Sequence, residues 1–163
     1  MQSEPIHPAV RVGHVHLKVA DLDRSLAFYR DALGLNLTAD GRPALDAAFL
    51  AAGDYHHHVA LNVWGAPATS PPQGAAGLHH FALRLPDRKS LAEVVVRIIR
   101  SGHDLLGATD HGVNLAVYLR DPDGNGLELM VDRPSSEWPR TPDGEVSMRV
   151  DPFDLDALVS SGE

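Results

Sequence analysis

Apolar positions along this chain follow two periods, and the same succession of periods occurs twice. Residues 11–19 alternate: Val15, Leu17 and Val19 fall on one side, His14, His16 and Lys18 on the other, which predicts a half-buried strand. Asp21 is placed to cap a helix in which Leu22, Leu26, Tyr29 and Leu33 recur at helical spacing until Gly34 ends it. Short strands are then predicted over residues 35–39, 47–51 and 59–64, with turns at 40–43 and 53–54. After a stretch rich in Gly, Ala and Pro the order returns. Residues 78–85 alternate, with His80, Ala82 and Arg84 sharing a side, and Leu91, Val94, Val95, Ile98 and Ile99 mark a helix over 87–101 closed by Gly102. Residues 105–107 read as a weak strand. A hairpin follows, its strands at 115–119 and 127–131 and its turn the run Asp121-Pro122-Asp123-Gly124-Asn125-Gly126.

The chain thus reads as an α+β fold of two βαβββ modules, an internal repeat whose strands curl as a mixed sheet around a cavity. The expected boundaries are a loose N-terminus over 1–9, a domain over 10–133 with modules at 10–65 and 77–133 and a linker at 66–76, and a C-terminal arm over 134–163. The arm ends in one short amphipathic helix around Asp154–Val159. At 163 residues the length suits one domain with a real core.

Charge and composition narrow the function. A net charge of −8 offers no basic stripe for phosphates, so a nucleic-acid partner is not expected. No apolar run is long enough for a membrane span and no signal-peptide core opens the chain, so a cytoplasmic location is the expectation. Cysteine is absent, which removes disulfides and thiolate metal sites and leaves any metal to carboxylates and the ten histidines.

Three residues sit at corresponding places: His14 on the first strand of module one, His80 on the first strand of module two, and Glu128 on the last strand of module two. Glu128 shares its strand with Leu127, Leu129 and Val131 but points the other way, so something charged or polar must meet it. Each alone has an ordinary explanation: half-buried histidines with satisfied nitrogens, and a glutamate paired with Arg84 or Lys18. Together, at matched positions facing one cavity, two imidazoles and a carboxylate form a metal triad with open positions, the set that suits non-haem Fe(II).

The opening run from His14 to Gly34 resembles the vicinal oxygen chelate superfamily, which includes glyoxalase I, fosfomycin-resistance proteins, bleomycin-binding proteins and type I extradiol dioxygenases. The resemblance covers about residues 10–133 and implies the paired βαβββ fold. The segment from Tyr118 through Asp121-Pro122 to Glu128 resembles the extradiol dioxygenase signature, and the whole chain resembles the N-terminal half of Bacillus-type catechol-2,3-dioxygenases. That resemblance implies metal ligation by His14, His80 and Glu128, and His57 as the acid–base histidine. It also implies His111 and Tyr118 as hydrogen-bonding residues, a small catecholic substrate, O₂ and a homodimer. Strict alternation back from Val59 favours His58 in place of His57, and both stay open here. His16 shares the cavity side as a lining residue. The metal expected is Fe(II), with Mn(II), Ni(II) and Zn(II) as alternatives for such N/O ligands. The chain departs from most type I extradiol dioxygenases in having two modules where they have four. A glyoxalase-like lyase would place a fourth ligand, a carboxylate, near Ala60 or Asn62, where none stands. A fosfomycin-resistance-like thiol transferase, with Lys18, Arg84 and Arg120 as anion holders, and a non-catalytic binding protein remain as alternatives.

Overall fold

The computed structural model describes residues 4–65 and 76–162; the linker expected at 66–76 lies, except for Ala76, outside the described residues. The first module runs β1 (Val15–Lys18), α1 (Leu22–Leu26, widening to π-helical turns over Ala27–Ala32), β2 (Asn36–Asp40), α2 (Arg42–Leu45), β3 (Ala47–Ala51) and β4 (Val59–Asn62). The second runs β5 (Phe81–Arg84), α3 (Arg88–Arg100), β6 (Leu105–Asp110), β7 (Asn114–Arg120) and β8 (Gly126–Asp132). The arm adds β9 (Asp151–Pro152) and α4 (Leu155–Ser160).

The α+β class and the repeat are both present, as two mixed, unclosed sheets. One has the order β1-β4-β3-β2 and the other β5-β8-β7-β6-β9, each with one parallel pair, β1 with β4 and β5 with β8. The helix after the first strand of each module returns the chain to start β2 and β6 in the direction of β1 and β5, and two antiparallel hairpins then bring β4 and β8 beside those first strands in parallel. Asp21 and Asp87 cap α1 and α3, their carboxylates accepting the N–H of Arg24 and Ser90 at 2.9 and 2.7 Å. The turn expected at 40–43 contains instead the start of a helical turn, α2, with Pro43 in its first turn where a missing N–H costs nothing.

One core joins the two sheets: Leu17, Val19, Leu26 and Tyr29 of the first module and Leu91, Val95, Leu127 and Leu129 of the second belong to it. The helices meet between the modules, where Arg97 of α3 donates to the carbonyls of Ala32 and Leu33 at 3.0 and 2.5 Å. Tyr29 donates to Asp121 across the module boundary at 2.8 Å, both groups buried. Among the described residues no helix is long and apolar enough to cross a membrane.

Candidate functional site

Glu128 lies on the side of β8 opposite Leu127 and Leu129, whose side chains fill the core, and it is 6% exposed. A carboxylate so placed needs donors. Neither cation considered for it from the sequence is available. Arg84 pairs with Asp132 at 3.0 Å, and Lys18 donates to the Gly65 carbonyl at 3.2 Å. Glu128 is met by His80, whose Nε2 stands 2.9 Å from Oε2.

The pairing follows from strand register. In the parallel β5–β8 pair Ala82 lies beside Glu128, so His80, two residues earlier, shares its face. Gly126 lets the strands approach, since a side chain there would collide with the His79 backbone and the His80 side chain. In the antiparallel β7–β8 pair Tyr118 lies directly opposite Glu128. Burial, and after it the charge of and hydrogen bond to Glu128, push the Tyr118 hydroxyl above the usual phenol range, so it stays protonated and has one proton to donate. The Tyr118 oxygen lies 2.7 Å from His111 Nε2. His80, Glu128, Tyr118 and His111 thus form one connected line on the second sheet. A cavity of about 340 Å³ opens beside it, bordered by His80, Tyr118, Leu106, Thr109 and Arg120.

The other expected site residues gather on the first sheet. His14 is exposed, with its ring centroid 4.5 Å from that of His57. His57 also packs against Phe49 at 5.2 Å, and its Nδ1 meets His56 Nδ1 at 2.7 Å. Burial, then the neighbouring His56, His14, His16 and His58, hold the His57 imidazole below the usual histidine range, so it is neutral at pH 7. His58 faces elsewhere: its Nδ1 accepts the Ala52 N–H at 3.2 Å and its ring packs on Tyr55. The alternation that favoured His58 does not extend back past Val59, because β4 begins there and residues 52–58 form the β3–β4 loop. His16 shares a 2.7 Å hydrogen bond with the buried Asn62 amide, a partner that the apolar pattern of β4 gave no sign of.

Among the described residues no group of three or more histidines and carboxylates lies close enough to hold a metal ion. The structure therefore brings His80, Glu128, Tyr118 and His111 together, and His14 with His57, but not the first set with the second.

A family model for the glyoxalase/bleomycin resistance protein/dioxygenase superfamily matches residues 11–129. The chain belongs to that superfamily. It is 35% identical to a catechol-2,3-dioxygenase of Bacillus subtilis (strain 168), over 94% of this chain and 53% of that protein. It is 30% identical to a probable lactoylglutathione lyase of Synechocystis, over 72% of this chain and 92% of that protein. A solved glyoxalase/dioxygenase structure from Nostoc punctiforme superposes with a TM-score of 0.62 at 22% identity, covering 82% of this chain and all of that one, which shows the fold. The chain spans about half the length of the Bacillus protein it matches.

Members of this vicinal oxygen chelate superfamily bind divalent metals, and the donors here suit one in part. His80 and Glu128 offer an imidazole nitrogen and a carboxylate oxygen side by side, two neighbouring positions of a metal's coordination shell. The third expected donor, His14, is presented to solvent on the other sheet.

Proposed function

We propose that this chain is an extradiol, catechol 2,3-dioxygenase-like enzyme that opens the ring of a small catechol with O₂, using Fe(II). The observation that carries the reading is the hydrogen-bonded line His80–Glu128–Tyr118–His111 beside a cavity of about 340 Å³, a volume suited to a single aromatic ring. The likeness to the Bacillus catechol-2,3-dioxygenase over nearly the whole chain supports it.

In this reading His80 and Glu128, with His14, hold the metal, and the Glu128 charge offsets part of the dication. When bound, Fe(II) supplies the charge and electrons that let a chelated catechol react with O₂. The neutral His57 takes the second catechol proton on its ring nitrogen and returns it later, work open to an imidazole that is unprotonated at pH 7. Tyr118 and His111 hydrogen-bond the substrate oxygens. Because His14 and His57 lie apart from His80 and Glu128 within one chain, the reading includes a homodimer in which the first module of one copy closes on the second module of the other. The catalytic domain is residues 10–133, with 134–163 as an arm, and the location is cytoplasmic.

A glyoxalase-like lyase using Ni(II) or Zn(II) is the second reading, favoured by lactoylglutathione lyases matching at similar identity over nearly their full length. Against it, Ala60 and Asn62 put no carboxylate where a fourth ligand is expected, and Asn62 is committed to His16. The test is oxygen uptake with catechol and its 3- and 4-alkyl derivatives after anaerobic loading with Fe(II). Stoichiometric O₂ consumption with a yellow ring-opened product supports the dioxygenase. A metal-loaded protein that consumes no O₂ with any of them overturns it.

A further inference from the structure

The arm lies beyond the matched family region, yet it reaches the candidate site. From β8 it passes a short turn at Ser135–Glu137 and folds back through a hairpin closed by the Thr141 N–H on the Glu145 carbonyl at 2.9 Å. It then runs along the free edge of β6 as β9, where Thr109 pairs with Pro152 and Asp110 with Asp151. Just before β9, two bonds run in opposite directions between Arg149 and His111. The Arg149 N–H donates to the His111 carbonyl at 3.0 Å, and His111 Nδ1 lies 2.7 Å from the Arg149 carbonyl.

A carbonyl oxygen only accepts, so Nδ1 of His111 must carry the proton. Neutral imidazole in water favours the other tautomer, with the proton on Nε2, so the contact imposes a choice. The loop is built to hold it. Gly112 has φ +76°, and a side chain there would stand 2.8 Å from Arg149 Nε and 2.9 Å from Pro139 Cγ, so the arm lies flat against the loop. On the other side the Gly112 N–H donates to Asp110, which pairs with Arg133 at 2.5 Å. With the proton on Nδ1, Nε2 of a neutral His111 can only accept, so at 2.7 Å it competes with Glu128 for the single proton of the Tyr118 hydroxyl.

We propose that the arm belongs to the site: the Arg149 main chain is a positioning element that locks His111 as an Nδ1–H donor, so that its Nε2 is held as an acceptor toward Tyr118. This rests on the reading of His111 and Tyr118 as residues that serve the substrate. The match to the Bacillus catechol-2,3-dioxygenase spans 94% of the chain and so runs into the arm.

The test uses full-length, metal-free protein labelled with ¹⁵N-histidine, with the His111 signals assigned by comparison with His111→Gln. Long-range ¹H–¹⁵N spectra at neutral pH are expected to show His111 Nδ1 protonated. Arg149→Pro removes the N–H of the clasp that pins the arm to the His111 carbonyl; as the arm lifts, the residue-149 carbonyl leaves Nδ1, and the Nε2–H tautomer should become the major form. In the Fe(II)-loaded protein the same variant should lose turnover on the order of tenfold with metal content unchanged. Asp154→Ala removes only the cap of α4, where Asp154 accepts the Ala157 N–H at 2.9 Å, and should leave His111 as in wild type. An unprotonated Nδ1 in the wild type overturns the proposal, and that spectrum decides the matter even where Arg149→Pro does not fold. So does an unchanged His111 in folded Arg149→Pro, or release of His111 by Asp154→Ala. A locked His111 in a protein that cleaves no catechol would sink the proposed reaction and leave the clasp standing.

Discussion

A nearly buried carboxylate on β8 has to be met by donors, and His80 and Tyr118 are the two that meet it. This much was legible in the sequence. Alternation along residues 127–131 set Glu128 apart from its apolar neighbours, and the same rule put His80 and Tyr118 on the facing side. The choice between His57 and His58 was not legible, because it depends on where β4 begins and the loop before it ends. His57→Ala should keep its metal, because the ring contacts His14 without sharing its expected ligand role, while turnover falls on the order of 10² to 10⁴-fold. Metal analysis beside steady-state rates checks this, and loss of metal would reassign the residue. Asp110 gives a pH dependence. Burial raises its carboxyl pKa, but the Gly112 N–H, Arg133 and Arg149 outweigh that and hold it below the usual aspartate range. A carboxyl lower in the folded than in the unfolded chain stabilises above the unfolded value of about 3.9, and that contribution disappears as pH falls through the folded value. Asp110→Asn should therefore flatten the acid limb of a stability–pH curve below about pH 4, as read by urea denaturation.

At the scale of elements, period and capping residues were sufficient where the element is local. The helix expected over 87–101 is present at Arg88–Arg100, with Asp87 as its cap, and β3 has the bounds read from its composition. The arm's short helix is also present, at Leu155–Ser160, with Leu158 fully buried and α4 packed on α3. What local pattern could not give is the two-residue β9, which has no period of its own and exists only because β6 offers a free edge. Nor could it give the bond from Tyr29 to Asp121, ninety-two residues apart in the chain. Tyr29 is fully buried, and its hydroxyl is held far above the usual range by burial and by Asp121, so it remains a donor. Tyr29→Phe leaves the Asp121 carboxylate with one donor fewer and should destabilise the fold by about 1 to 3 kcal/mol. Calorimetry would show this as a lowered Tm, and an unchanged Tm would mean that the turn at 121–126 is held by its own bonds alone.

At the scale of the whole molecule, the repeat and the fold were readable because both modules carry the same succession of periods. The distance between His14 and Glu128 was not, since it depends on how α1 and α3 pack between the modules and not on any strand's own pattern. If two copies share each site, His14→Ala and Glu128→Ala should each be inactive alone, yet a co-refolded mixture should recover activity. Half the dimers would be mixed, with one intact site in two, giving about a quarter of the wild-type rate. No recovery would mean that each chain completes its own site.

The metal content of wild-type protein prepared without chelator, compared with that of Glu128→Ala, tests the proposed centre most directly. About one equivalent of iron per chain is expected in the wild type and none in the variant, because the carboxylate is both a donor and the charge that offsets the dication. Iron retained in Glu128→Ala, or a wild type that takes up no metal on reconstitution, would contradict it.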